Sequence, residues 1–514
     1  MAATTTQTKE QVSLKLLVNK ETNKVLFAEA GKDFVDVLFS FLTLPLGTIA
    51  RLVEKESSVG PVTLGCLNSL YHCVEDLDEG CLGTKINKEM LLQPANSSED
   101  YCSSLKLNID DTEPTKYFLC TKFPSCVDRC LSISLDKFKC RCKNPLNRSV
   151  MMKHFRNGFV NSGATFIIKD DLTVMPNSMD VTNFSLLQNF GIKSASSVKE
   201  MNVSVTKEKV LDLLKCSLFS KTPLTDLFLR GNKDQKPSLE RPRFVFKLYF
   251  LQVLNLLKCS LFSKTLLTDL FLRGNKDRKP SLERPRFFQI TLKLVTRKSD
   301  NKFLYAQGEH DFADMLLNFL VCPLGGIVRL LGGSSLGSID ALHHSIAYLD
   351  ICNFVSEKEK DMIVVPRLAY QYFLLSKEIL PSRLNNYCCY YQPRKFDIEG
   401  IAHNQIFMTN ERIYDWGDFC ELYPESPKVS YQGYVKGPRI YVATDDLVIS
   451  PLSPITLLDL LNRFKTSVGD LKEKVVTIGI KECLSILKAA LTSTSALSNG
   501  LAHLLAEVKE KIRE

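Results

Sequence analysis

The chain contains itself twice. Val12–Leu52 aligns without a gap on Ile290–Leu330, with 20 of 41 positions identical. A later block, GFVNSGATFIIKDDLTVMP at Gly158–Pro176, matches GYVKGPRIYVATDDLVISP at Gly433–Pro451. The blocks keep their order, so whatever one copy folds into, the other must fold into as well. Each copy spans roughly 220 residues, enough to bury a core of its own. The sequence therefore divides into a first repeat at 1–230, a linker at 231–288 and a second repeat at 289–514, each repeat with its own hydrophobic centre.

A younger duplication lies across the linker. VLDLLKCSLFSKTPLTDLFLRGNKDQKPSLERPRF, Val210–Phe244, recurs as Val253–Phe287 with three changes: Asp212 becomes Asn255, Pro223 becomes Leu266 and Gln235 becomes Arg278. The first copy completes the first repeat, because Cys483–Leu501 occupies the matching place in the second. The extra copy has the same apolar face and no assigned slot. Burying each Leu or Phe of such a face yields about 1.5–3 kcal/mol, so it is expected to find a domain flank, compete with the first copy or drive self-association.

Local patterning gives the fold class. Ser13–Val18 and Val25–Ala28 alternate apolar and polar residues around a polar turn, the signature of a β-hairpin. Asp33 and Asp311 stand before apolar-periodic text and are predicted to cap a helix, with Phe34, Val37, Leu38, Phe41 and Leu42 on one face. Pro45 should end or kink it. Gly47–Val53 and Leu64–Val74 read as further helices. Thr165–Ile168 and Leu172–Met175 flank the turn Lys169–Asp171, and Ile440–Ala443 and Leu447–Ile449 flank Thr444–Asp446. A helix near Asn183–Phe190, a strand at Asn202–Val205 and a helix at Lys207–Phe219 complete the first repeat. Hairpins and helices without regular βα alternation mean an α+β fold: in each domain a hairpin, then helices, then a mixed strand and helix half.

Charge and composition narrow the partners. Of the net charge of +9, Arg230–Arg243 supplies +3 and Arg273–Arg286 supplies +4. Basic residues concentrated in Pro- and Lys-rich tethers read as solvated linkers, which tells against a nucleic-acid groove. Phe244–Phe262, the most apolar stretch, is broken by Lys247, Gln252, Asn255 and Lys258, so no membrane span is expected. The polar start and seventeen scattered cysteines point to a reducing, intracellular setting, cytoplasmic or nuclear.

The cysteines are also the best chemical signal. Cys120, Cys126, Cys130, Cys140 and Cys142 fall within 23 residues, and Cys126, Cys130, Cys140 and Cys142 form the most ligand-like subset. Four thiolates on a tight loop pair could hold a structural zinc ion; the alternative is a set of free thiols. Other motifs are weaker. Gly333–Gly337 matches a nucleophile-elbow pattern around Ser335, but helical text precedes it. Asp170–Asp171 and Asp445–Asp446 fit turn chemistry better than a cation site. His310–Asp311 and His343–His344 are similarly thin signals, because the first repeat has Lys32 in place of His310. Neither a Walker nor a dinucleotide-binding glycine motif occurs.

The repeated text SLKLLVNKETNKVLFAEAGKDFVDVLFSFLTLPLGTIARL, the turns KDDLTVMP and TDDLVISP, and KCSLFSKTPLTDLFL resemble a family of plant proteins catalogued as domain of unknown function 674. The resemblance implies a tandem pair of units with a cysteine-rich stretch in the first, and it brings no activity with it. The expectation is a non-enzymatic interaction or scaffold protein with protein partners; a nucleic-acid-associated zinc module and a hydrolase are the alternatives.

Overall fold

The computed structural model describes residues 10–126, 128–132, 139–152, 158–177, 188, 190, 192, 194–230, 289–333, 336–372, 379–380, 387–391, 406–409, 419–424 and 433–510. In the first repeat the strands are β1 (Gln11–Asn19), β2 (Lys24–Gly31), β3 (Tyr117–Cys120), β4 (Cys130–Ser132), β5 (Leu146–Met152), β6 (Thr165–Lys169), β7 (Val174–Pro176) and β8 (Val198–Thr206). In the second they are β9 (Ile290–Arg297), β10 (Phe303–Glu309), β11 (Tyr387–Tyr391), β12 (Ile406–Thr409), β13 (Phe419–Pro424), β14 (Ile440–Thr444), β15 (Ile449–Pro451) and β16 (Leu471–Ile478).

The α+β class holds, and each repeat builds the same antiparallel sheet. The order is β7-β6-β2-β1-β8 in the first and β15-β14-β10-β9-β16 in the second. Alternation sets the inner face: Val12, Leu14, Leu16 and Val18 are buried on β1, as are Ile290, Leu292 and Leu294 on β9. Both opening hairpins turn through an asparagine with positive φ, Asn23 and Asn301, a conformation that Asn tolerates better than most side chains.

Strand runs directly into helix after β2 and β10. The helices begin at Lys32 and His310, with Gly31 and Glu309 at the N-cap positions in extended conformation and no side-chain cap. This corrects the reading of Asp33 and Asp311 as caps: they sit inside the first turn, and Asp33 pairs with Lys106 instead. Nor is the first helix one-sided. It spans Lys32–Ser40, and every residue from Phe34 to Ser40 is buried, so it is a central core helix. A short 3-10 turn at Phe41–Thr43 follows, and Pro45 becomes the N-cap of the helix Leu46–Val53.

That burial has a cause outside the repeat. Met1–Gly231 and Gln289–Glu514 together form one compact unit, which corrects the expectation of two separate hydrophobic centres. At their junction equivalent residues meet reciprocally. Pro45 and Pro323 bridge, Leu46 N–H donates to the Cys322 carbonyl at 2.9 Å, and Leu324 N–H donates to the Leu44 carbonyl at 2.9 Å. A side chain at Gly47 would lie 3.0 Å from the Leu320 carbonyl oxygen, and one at Gly325 would lie 3.0 Å from that of Leu42. Such self-complementary pairing is the geometry of a two-fold dimer, here written into one chain.

The exchange extends outward. Cys66 N–H donates to the Ala490 carbonyl at 2.7 Å and Ser338 N–H to the Ser217 carbonyl at 2.8 Å, so each repeat's middle segment packs on the other's late helix. The buried Asp36 carboxylate accepts from Phe159 and Val160 N–H, and Asp314 accepts from Tyr434 and Val435 N–H. These held segments then reach across. Val355 N–H donates to Phe159, and Gly83 N–H donates to Tyr434.

The middle segments of the two repeats share an element that periodicity does not reveal. Strands β11-β12-β5-β3-β4-β13 close into a six-stranded barrel, three strands from each repeat. Its two seams are the parallel pairs β5–β12 and β4–β13. Tyr117, Leu119, Phe123, Leu131, Val150, Met408 and Leu422 fill it.

Candidate metal centre

The cysteine-rich segment forms one end of this barrel. Strand β3 ends at Cys120, which sits opposite Leu146 at the start of β5. The chain then turns tightly, with Phe123 N–H donating to the Cys120 carbonyl and Cys126 N–H to that of Lys122. The approach to β5 is a second turn. Cys140 N–H donates to the Asn144 carbonyl at 2.8 Å, Lys143 N–H donates back to Cys140 at 2.7 Å, and Lys143 takes a positive φ of 67°. Thr121 N–H donates to the Pro145 carbonyl at 3.1 Å and ties the two turns together.

These turns bring four sulfurs to one point. The Sγ atoms of Cys120, Cys126, Cys140 and Cys142 all lie within 4.8 Å of one another. Cys120 and Cys142 are 3.4 Å apart, Cys126 and Cys140 3.4 Å, and Cys126 and Cys142 3.6 Å. A tetrahedral site with metal–sulfur bonds of about 2.3 Å has sulfur–sulfur edges of about 3.8 Å, so the spacing suits a metal ion. Cys120, Cys126 and Cys140 are buried and Cys142 is half-buried. The Asn144 side-chain amide donates to the Cys142 Sγ at 3.2 Å and pulls that thiol down to about 6, whereas burial pushes the Cys120 and Cys140 thiols up.

Three of the four cysteines singled out by spacing, Cys126, Cys140 and Cys142, converge here. The fourth place belongs to Cys120. Cys130 lies on β4, where its Sγ approaches the Asp128 carbonyl at 3.5 Å. Spacing could not make this choice, because pairing of β3 with β5 decides which cysteine faces the 140–144 turn. In the second repeat Cys388 and Cys389 lie on β11 and Cys420 on β13, with Cys389 and Cys420 as backbone partners.

The other candidate residues have structural employment. Asp170 accepts from the Thr225 N–H at 2.8 Å and hydroxyl at 2.6 Å, and Asp445 accepts from both groups of Ser498 at 2.7 Å. Each tethers a hairpin to a short helix late in its repeat, Pro223–Phe228 or Ala496–Gly500, a longer-range role than a local turn. Asp171 accepts from Thr173 N–H within the turn itself. His343 Nε2 meets the Val364 carbonyl at 3.0 Å, and burial lowers its pKa. His344 packs against Tyr348, with ring centroids 4.7 Å apart and the ring planes inclined at 43°. Ser335, the helix expected near Asn183–Phe190 apart from isolated positions, the basic stretches from residue 231 onward and the extra copy Val253–Phe287 lie outside the described residues. Among the described residues no helix is long and apolar enough to cross a membrane.

A family model described as protein of unknown function (DUF674) matches residues 8–248 and again residues 242–481. No curated protein and no solved structure gives a significant match.

Proposed function

Since the chain belongs to the DUF674 family, in tandem form, and that description names no activity, we propose its function from its own geometry: a non-enzymatic scaffold whose barrel end is pinned by one structural zinc ion on Cys120, Cys126, Cys140 and Cys142. The observation that carries this reading is the four-sulfur cluster. Four thiolates complete a tetrahedral zinc shell and leave no position for water or substrate, which favours folding over catalysis. Zinc also suits short strands joined by irregular turns, since metal binding supplies folding free energy that a small apolar cluster cannot. Repeated domains and carboxylates committed to structure support an interaction role with protein partners.

Metal analysis of the purified full chain tests it. About one zinc per chain is expected, and Cys140→Ser with Cys142→Ser should abolish it and lower the thermal midpoint. Cys130→Ser should keep the metal and Cys120→Ser should lose it. Zinc that survives Cys120→Ser, or a purified chain with no metal, would overturn the assignment.

A further inference from the structure

We propose that Cys142 is the oxidation site of the thiol quartet, through which a peroxide expels the metal and locks the barrel end as a Cys120–Cys142 disulfide. The inference rests on the zinc reading above and adds a means of control to it. Its basis is geometric. Cys120, Cys126 and Cys140 are only 1%, 6% and 2% exposed, whereas Cys142 is half-buried on the turn that Lys143 closes. A small oxidant therefore reaches one sulfur of the four. That sulfur already stands 3.4 Å from Cys120 Sγ, and Cys126 and Cys140 remain as a second pair at 3.4 Å.

The chemistry balances with hydrogen peroxide as oxidant. The Cys142 thiolate attacks one peroxide oxygen, the O–O bond breaks, hydroxide leaves and Cys142 becomes a sulfenic acid. The Cys120 thiolate then attacks the Cys142 sulfur, the S–O bond breaks, and a second hydroxide leaves as the disulfide forms. Two sulfurs give up two electrons, peroxide accepts them, and two protons from solvent complete two waters. Cys126 and Cys140 are left as half of a coordination shell, too few ligands to hold zinc against a chelator. A dithiol reductant reverses the bond and reopens the site.

The test uses the zinc-loaded full chain carrying Cys352→Ser, which removes an exposed thiol elsewhere in the described residues. Zinc is measured before oxidation. Dilute hydrogen peroxide is then added with a chromogenic chelator, and disulfides are mapped by mass spectrometry at early times. Release of about one zinc equivalent, with Cys120–Cys142 as the first disulfide and recovery on reduction with added zinc, is the expected result. A chain that arrives without zinc sinks the zinc reading and this inference with it. A chain that arrives loaded and keeps its zinc under peroxide, or first joins any other pair of cysteines, overturns the oxidation site alone.

Discussion

Thr115 gives Glu99 both its N–H, at 3.3 Å, and its hydroxyl, at 2.9 Å. Burial nevertheless pushes this carboxyl up to about 7, helped by Asp100 and Asp110. A raised carboxyl pKa means that the folded chain prefers the protonated acid. The preference acts in full below the unfolded value of about 4.3 and is lost as pH rises through about 7. Glu99→Gln, which stays neutral, should therefore gain about 2–3 kcal/mol on the parent between pH 5 and pH 8. Urea midpoints at the two pH values measure this; a parent-to-variant difference that does not change with pH would refute it. Individual residues were unevenly legible in sequence. Cys126, Cys140 and Cys142 announce themselves by crowding, but Cys120 belongs to the quartet only because strand register carries it there. The roles of Asp36 and Asp314 were invisible, since each accepts from backbone N–H groups about 120 residues away.

Whole elements were read best where their stabilising contacts are local. The opening hairpins and the helix Lys207–Phe219 follow directly from alternation and helical spacing, and the structure adds a Thr206 cap, whose side chain accepts from Lys209 N–H. The barrel strands escaped because β3 and β4 have only four and three residues, and one neighbour of β4, the strand β13, comes from the other repeat. The helix Lys207–Phe219 also shows what separates the two linker copies. Its Asp212 is buried and accepts from Val59 N–H at 3.1 Å, while Lys215 Nζ donates to the carbonyls of Lys55 and Gly60 and to Ser57 Oγ. Burial lowers the Lys215 pKa and the Asp212 charge opposes that shift. Asp212→Asn, the residue found at Asn255 in the extra copy, keeps the shape but removes this charge. It should cost about 1–3 kcal/mol, read as a lower urea midpoint in the full chain. No change in midpoint would mean that the two copies are equivalent in this groove.

For the molecule as a whole, the reciprocal junction makes folding of the halves interdependent. Strand β8 closes on β1 across almost the full first repeat, and the Leu44–Leu46 and Cys322–Leu324 segments then hold the two repeats through backbone bonds. Cutting the full chain at a protease site inserted between residues 245 and 252 should leave the halves bound to each other. Gel filtration of the cut protein is expected to give one peak at the uncut volume, and separate peaks would show that the repeats stand alone. The duplicated text established two like units, but not that they would merge, because repeated glycines such as Gly47 and Gly325 look the same in a turn as against a neighbouring backbone.

The barrel carries a consequence for ancestry. A polypeptide of half this length would own three of its six staves, with an open margin on either side where β5 and β4 now meet β12 and β13. Bare margins of that kind invite another chain. The parent of this gene had a ready way to cover them: it could pair with its own twin, and fusion would then have made that partnership permanent.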